Sequence, residues 1–194
     1  MNLNTYQEDF ESDFKIYCIE AVDDVQKEHQ SKIWPYLEQL SQKHHIHSLY
    51  KSFDSMETLI EAIEYLLDID KEESEYLILY FILTGQGNEI IIDGIVYRLE
   101  ELAEIFEGRF EGKTIHFSNT KSLELEEESF QYFLDLTKAK ALSGYTKSAS
   151  VLSAELDMYF FSLHKDYYEP KEIVHAMYKD YAKLYHKFGF RLYY

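Results

Sequence analysis

The chain has 194 residues, 46% apolar and 16% aromatic, with a formal net charge of −17. That length and apolar share fit one domain with its own core and exclude general disorder. The charge argues against nucleic acid, because phosphate binding rests on Lys and Arg displacing counterions. No run approaches the roughly 18 apolar residues of a membrane helix, so no membrane partner is expected. Met1 to Ser12 is acidic and has no apolar centre, unlike a secretory signal. The single cysteine, Cys18, permits no internal disulfide and suits a reducing, cytoplasmic setting.

In chain order, Phe14 to Ala21 is short, aromatic and β-branched, and predicts a strand. Ser31 is then expected to cap a helix with Ile33, Trp34, Leu37 and Leu40 on its buried face and Pro35 in its first turn. His47 to Tyr50 reads as a brief strand. Asp54 or Ser55 caps a helix in which Met56, Leu59, Ile60, Ile63, Leu66 and Leu67 recur at helical spacing. Tyr76 to Leu83 is continuously apolar, as a strand covered on both faces must be. Gly85-Gln86-Gly87-Asn88 reads as a turn, followed by a hairpin around Asp93-Gly94.

Leu99, Leu102, Ala103 and Phe106 stripe a helix whose other face is acidic. Thr114 to Phe117 is a strand, Phe130 to Thr137 a helix, and Ala139 to Tyr145 a further strand. Residues 148–164 are apolar nearly all round and predict a deeply packed helix. The last helix, from Lys171 to Phe188, sets Val174, Met177, Tyr178, Tyr181, Leu184, Tyr185 and Phe188 on one side and lysines on much of the other. Strands alternating with helices imply an α/β fold with a mostly parallel sheet and helices on both faces. One domain is expected over 1–194, with its core at about 13–166 and a C-terminal amphipathic helix at about 170–190.

The ordered segments Ile16-Tyr17-Cys18-Ile19-Glu20, Leu79-Tyr80-Phe81-Ile82-Leu83-Thr84-Gly85, Leu99-Glu100-Glu101-Leu102-Ala103, Ile115-His116-Phe117-Ser118-Asn119-Thr120 and Ser143-Gly144-Tyr145-Thr146-Lys147 carry a resemblance. From about Phe14 to Asp166 the chain resembles the caspase-like, or clan CD, peptidase fold, and is most similar to small bacterial members related to CHAT domains. The resemblance implies a three-layer sandwich built on five or six strands. It also implies a histidine beside the glycine that ends the first apolar strand and a cysteine at the tip of the next. Thr84 and Thr120 stand at those two positions. Threonine at 84 accepts no proton near neutral pH, and Thr120 has no base beside its alcohol. Losing one member of a nucleophile–base pair costs on the order of a millionfold in rate.

The expectation is therefore a catalytically inactive domain serving as an interaction or regulatory module, with bacterial stress or defence signalling as the setting the resemblance suggests. A hydrolase using His116, Ser118 or Thr120 is the alternative from another class. His116 and Ser118 share one strand face, but no third orienting group is identifiable. A small-ligand sensor is the third reading, with Gln86, Asn88, His116, Ser118 and Asn119 as candidate ligand-binding residues.

Cys18 reads as a buried small apolar residue. His44, His45 and His47 match no zinc spacing, and no metal or cofactor is expected. The basic last helix and Tyr193-Tyr194 hint at a docking surface, against the preferred reading that the helix folds back onto the acidic body. A protein partner is expected, and an exposed edge strand offers homodimer pairing.

Overall fold

The computed structural model describes residues 14–28, 30–71, 75–118, 123, 125–147 and 153–194. Strand β1 (Lys15–Ala21) lies inside a six-stranded sheet, flanked in parallel by β2 (His47–Phe53) and β3 (Tyr76–Ile82). Beyond β3 come β7 (Thr114–Ser118) and β8 (Ala141–Tyr145), also parallel, and the edge strand β9 (Phe190–Tyr193), giving the order β2-β1-β3-β7-β8-β9. The apolar run at Tyr76 thus occupies an interior position, as its lack of a polar face requires. Between β3 and β7 the chain makes a separate antiparallel sheet of β4 (Thr84–Gln86), β5 (Glu89–Ile92) and β6 (Ile95–Arg98). Asp93 and Gly94, at φ 51° and 71°, close the β5–β6 hairpin with the left-handed pair that matches strand twist. The glycine turn expected at 85–88 is partly strand. Gly85 pairs with Ile90, and an added Cβ there would meet the Glu89 carbonyl at 2.5 Å.

Helices cover both faces. Helices α2 (Met56–Ile69), α3 (Leu99–Ile105) and α4 (Glu127–Thr137) pack their apolar stripes on Tyr17, Ile19, Leu79, Phe81, Ile115 and Phe117. Helices α1 (Trp34–His44), α5 (Ser153–Leu163) and α6 (Pro170–Phe188) cover Ile16, Cys18, Ile78, Tyr80 and Tyr145 on the other side. The period-two alternation of strand side chains assigns each residue to one of these two cores.

Helix starts follow local chemistry. Ser55 and Thr58 form a reciprocal capping box at α2. The cap expected at Ser31 is displaced: Ile33 occupies the N-cap of α1, and the Ser31 hydroxyl accepts from the Ile33 N–H at 3.1 Å in the lead-in. Trp34, expected on the buried face, is 42% exposed and lies over Tyr50 with ring centroids 5.0 Å apart.

The C-terminus differs most from expectation. Gly189, at φ 64°, ends α6 in the left-handed conformation that glycine adopts most readily. The chain then turns into β9 (Phe190–Tyr193), antiparallel to β8 at the sheet edge. Tyr193 packs on Phe130 at 4.9 Å, and its hydroxyl reaches the Leu125 N–H and Leu123 carbonyl. Its aromatic character is therefore explained by packing. Tyr194 stays half exposed.

Just past α5, His164 bonds the Phe160 carbonyl through Nδ1 at 3.0 Å and packs edge-on against the Phe160 ring. Burial, with smaller effects from Lys140 and His116, outweighs that hydrogen bond and lowers its pKa to about 4. The folded value lies below the unfolded value near 6.5, so on acidification the unfolded chain binds the proton first. The contribution to stability is complete above pH ~6.5 and is lost as pH falls toward 4, amounting to roughly 3 kcal/mol. Urea titrations between pH 7 and 4 should show this slope, and His164→Gln should flatten it. An unchanged slope in that variant would assign the acid sensitivity elsewhere.

Candidate functional site

Helix α5 is buried nearly all round, yet it carries a carboxylate in its middle. Asp157 is 0% exposed and faces β3, β7 and β8. A charge removed from water must find donors, and the sheet supplies four. The Tyr80 hydroxyl donates to Oδ2 at 2.7 Å and Ser118 Oγ to the same oxygen at 3.0 Å. His116 Nε2 meets Oδ1 at 2.9 Å, and the Tyr145 hydroxyl donates to Oδ1 as well. Alternation along β7 places His116 and Ser118 on one face, and parallel register sets Tyr80 and Ser143 beside His116. Carboxylate desolvation and hydrogen bonding thus become one local problem with one local solution.

His116 Nδ1 lies 2.8 Å from Ser143 Oγ, which also bonds the Ile115 carbonyl at 3.2 Å. The imidazole is enclosed by Tyr80, Tyr145, Phe160 and Phe161, with ring centroids 5.4 to 5.7 Å away. Burial first, then the Asp157 charge, pushes the Tyr80 and Tyr145 hydroxyls well above the ordinary tyrosine range. Both therefore remain proton donors at any physiological pH.

Ser143, His116 and Asp157 have the contact distances of a nucleophile–base–acid relay. The third orienting group missing from the sequence reading is Asp157. Access is what the relay lacks: all three residues are 0% exposed, and Ser143 lies in β8 with its hydroxyl engaged on both sides. Ser118, 5% exposed, gives its proton to the carboxylate rather than to the imidazole. As it stands, the cluster can lock α5 onto the sheet, and no substrate carbonyl reaches it.

The remaining sequence candidates lie apart from this cluster. The Leu83 N–H reaches the Ser118 carbonyl at 3.4 Å, which brings the ends of β3 and β7 together as expected. Thr84 and Gln86 lie exposed on one face of β4, so they do not join His116 and Ser118. Asn88 supports the start of α3: its carbonyl accepts from the Leu99 N–H at 2.8 Å and its amide reaches Glu100 at 3.4 Å. Asn119 and Thr120 lie outside the described residues. Cys18 is fully buried, with burial, Glu20 and Asp157 all raising its thiol, so it is no ready thiolate.

Among the described residues no group of three or more His, Cys, Asp or Glu side chains converges as a metal site. His44 and His45 end α1, and His47 bonds Ser41 instead. No described helix is long and apolar enough to cross a membrane.

The model of a family of unknown function, DUF6642, matches residues 13–194. The chain belongs to that family. Among curated proteins, none matches it. The matched span of this DUF6642 chain takes in the six-stranded sheet, the hairpin sheet and every residue of the Asp157 cluster.

Proposed function

We propose that this DUF6642 chain is a catalytically silent domain of caspase-like architecture, acting in a bacterial cytoplasm as an interaction or regulatory module. The observation that carries the reading is the enclosure of the Ser143–His116–Asp157 relay. It has hydrolase contacts but is 0% exposed, with every polar side chain in it paired to another part of the protein. Binding, not bond cleavage, suits such an interior. A six-stranded sheet covered on both faces supports the reading, and Thr84, the position at which the resemblance implies a histidine, is exposed. The buried Cys18 thiol supports the same reading.

The test has two arms. Hydroxyl- and thiol-directed activity probes should leave the native protein unlabelled, and native pull-down with mass spectrometry should recover a specific protein partner. Probe labelling that disappears in Ser118→Ala or Ser143→Ala would overturn the proposal in favour of a hydrolase with substituted residues.

A further inference from the structure

The sheet separates an acidic helix layer from a layer whose last helix, α6, carries a row of lysines, with Glu172 and Asp180 exposed among them. On α2, Glu57, Glu61, Glu64 and Asp68 are exposed at spacings of four, three and four residues, which aligns them along one edge of the helix. The exposed carboxylates Glu101, Glu104 and Glu107 extend the acidic surface on and beyond α3 in the same layer. On the opposite side of the sheet, Lys171, His175, Lys179, Lys183 and Lys187 recur every fourth residue along α6, all exposed. Tyr181, at φ −124° and ψ 32°, kinks the helix between Lys179 and Lys183, so the row is carried on two successive helical segments. Tyr178, expected on the apolar side, is 51% exposed and stands beside the lysines instead.

The preferred sequence reading holds for only half of this helix. Its apolar side folds back through Ile173, Ala176, Met177 and Phe188, while its lysines do not reach the acidic body. Among the described residues no carboxylate lies within ion-pair distance of Lys171, Lys179, Lys183 or Lys187, and Glu57 and Glu61 likewise have no cation. The chain thus carries both halves of a complementary pair and cannot join them within one molecule, because the sheet stands between.

We infer that α6 of one molecule docks on the acidic α2 face of a second copy, head to tail. The inference builds on the interaction reading above and names the surface and the occupant. Contact through opposite faces leaves each copy with one unused face, so association is open-ended rather than closed at a dimer. The net charge of −17 sets its salt dependence. At ionic strength near 0.01 M the screening length is about 30 Å, and whole-molecule repulsion opposes contact. Near 0.15 M it falls to about 8 Å, and only the facing stripes interact. Near 1 M, at about 3 Å, the stripes themselves are screened.

Analytical ultracentrifugation of the purified full chain, over a roughly fiftyfold concentration range, tests this. Weight-average mass should climb past the dimer near 0.15 M and return to monomer at both salt extremes. Lys179→Glu with Lys183→Glu should abolish the growth, as should Glu57→Lys with Glu61→Lys. Mixing the two charge-reversed proteins should restore it, which a misfolded variant could not do. A monomer at every ionic strength overturns the inference, as does assembly indifferent to both reversals. So does binding of α6 to a poly-glutamate peptide or anionic vesicles without self-association. A monomer that still captures a specific protein in pull-down sinks this inference alone and leaves the interaction reading standing.

Discussion

Asp157→Asn should destabilise the protein by about 3–5 kcal/mol, the range for breaking a buried charged network by removing one partner. The carboxylate accepts from Tyr80, Ser118, His116 and Tyr145, two donors to each oxygen. An amide keeps the shape but replaces one acceptor oxygen with an NH2 group, which then faces two donors with a third. For a chain of this size each kcal/mol moves the melting temperature by roughly 2–4 °C, so a fall of about 6–20 °C is expected. Chemical denaturation would give the free energy directly. Tyr80→Phe or Tyr145→Phe removes one donor and leaves the carboxylate three, so each should cost only about 1–2 kcal/mol. If Asp157→Asn costs less than Tyr80→Phe, the carboxylate is not the centre of the network.

The same cluster shows where sequence reasoning stops. Periodicity located the apolar run of β3, the α2 stripe and the Asp93–Gly94 hairpin, because each is a local pattern of four or more residues with a local cause. Asp157 is a single residue whose partners are 12 to 77 positions away. A signal for it did exist. A helix with no polar face cannot turn an aspartate to water, so an acid between Leu156 and Met158 had to be paired inside. His116 and Ser118 were legible as same-face neighbours, yet alternation cannot say which layer that face meets, and it met α5 rather than an open cleft.

Strand β9 escaped for another reason. Its four residues after Gly189 alternate too briefly to distinguish an edge strand from a frayed end, and its partner, β8, lies more than forty residues upstream. The lysines of α6 were visible as a stripe, but whether their counter-charges lay in the same molecule was a question of topology alone.

Lys113 and Asp70 provide the second large expected effect, at the opposite end of the strands from Ser118. Their side chains are 9% and 5% exposed and pair at 2.5 Å. The ammonium also donates to the Tyr76 carbonyl at 2.9 Å, while Asp70 Oδ1 accepts from the N–H groups of Glu75 and Tyr76 at 2.8 and 3.2 Å. The pair ties the end of α2, the start of β3 and the approach to β7 into one knot. Lys113→Met leaves a buried carboxylate with two backbone donors and no cation, and should cost about 3–5 kcal/mol. Asp70→Leu should cost at least as much, because it strands the ammonium and two N–H groups together.

The double variant discriminates between mechanisms. Replacing both charges removes the uncompensated ion, so its loss should be smaller than the sum of the single losses by about 1–3 kcal/mol, the remainder reflecting the two orphaned N–H groups. Equilibrium unfolding of all four proteins supplies the cycle. Additive losses would mean that the two side chains act independently, and the knot would then be held by the Asp70 contacts to β3 alone.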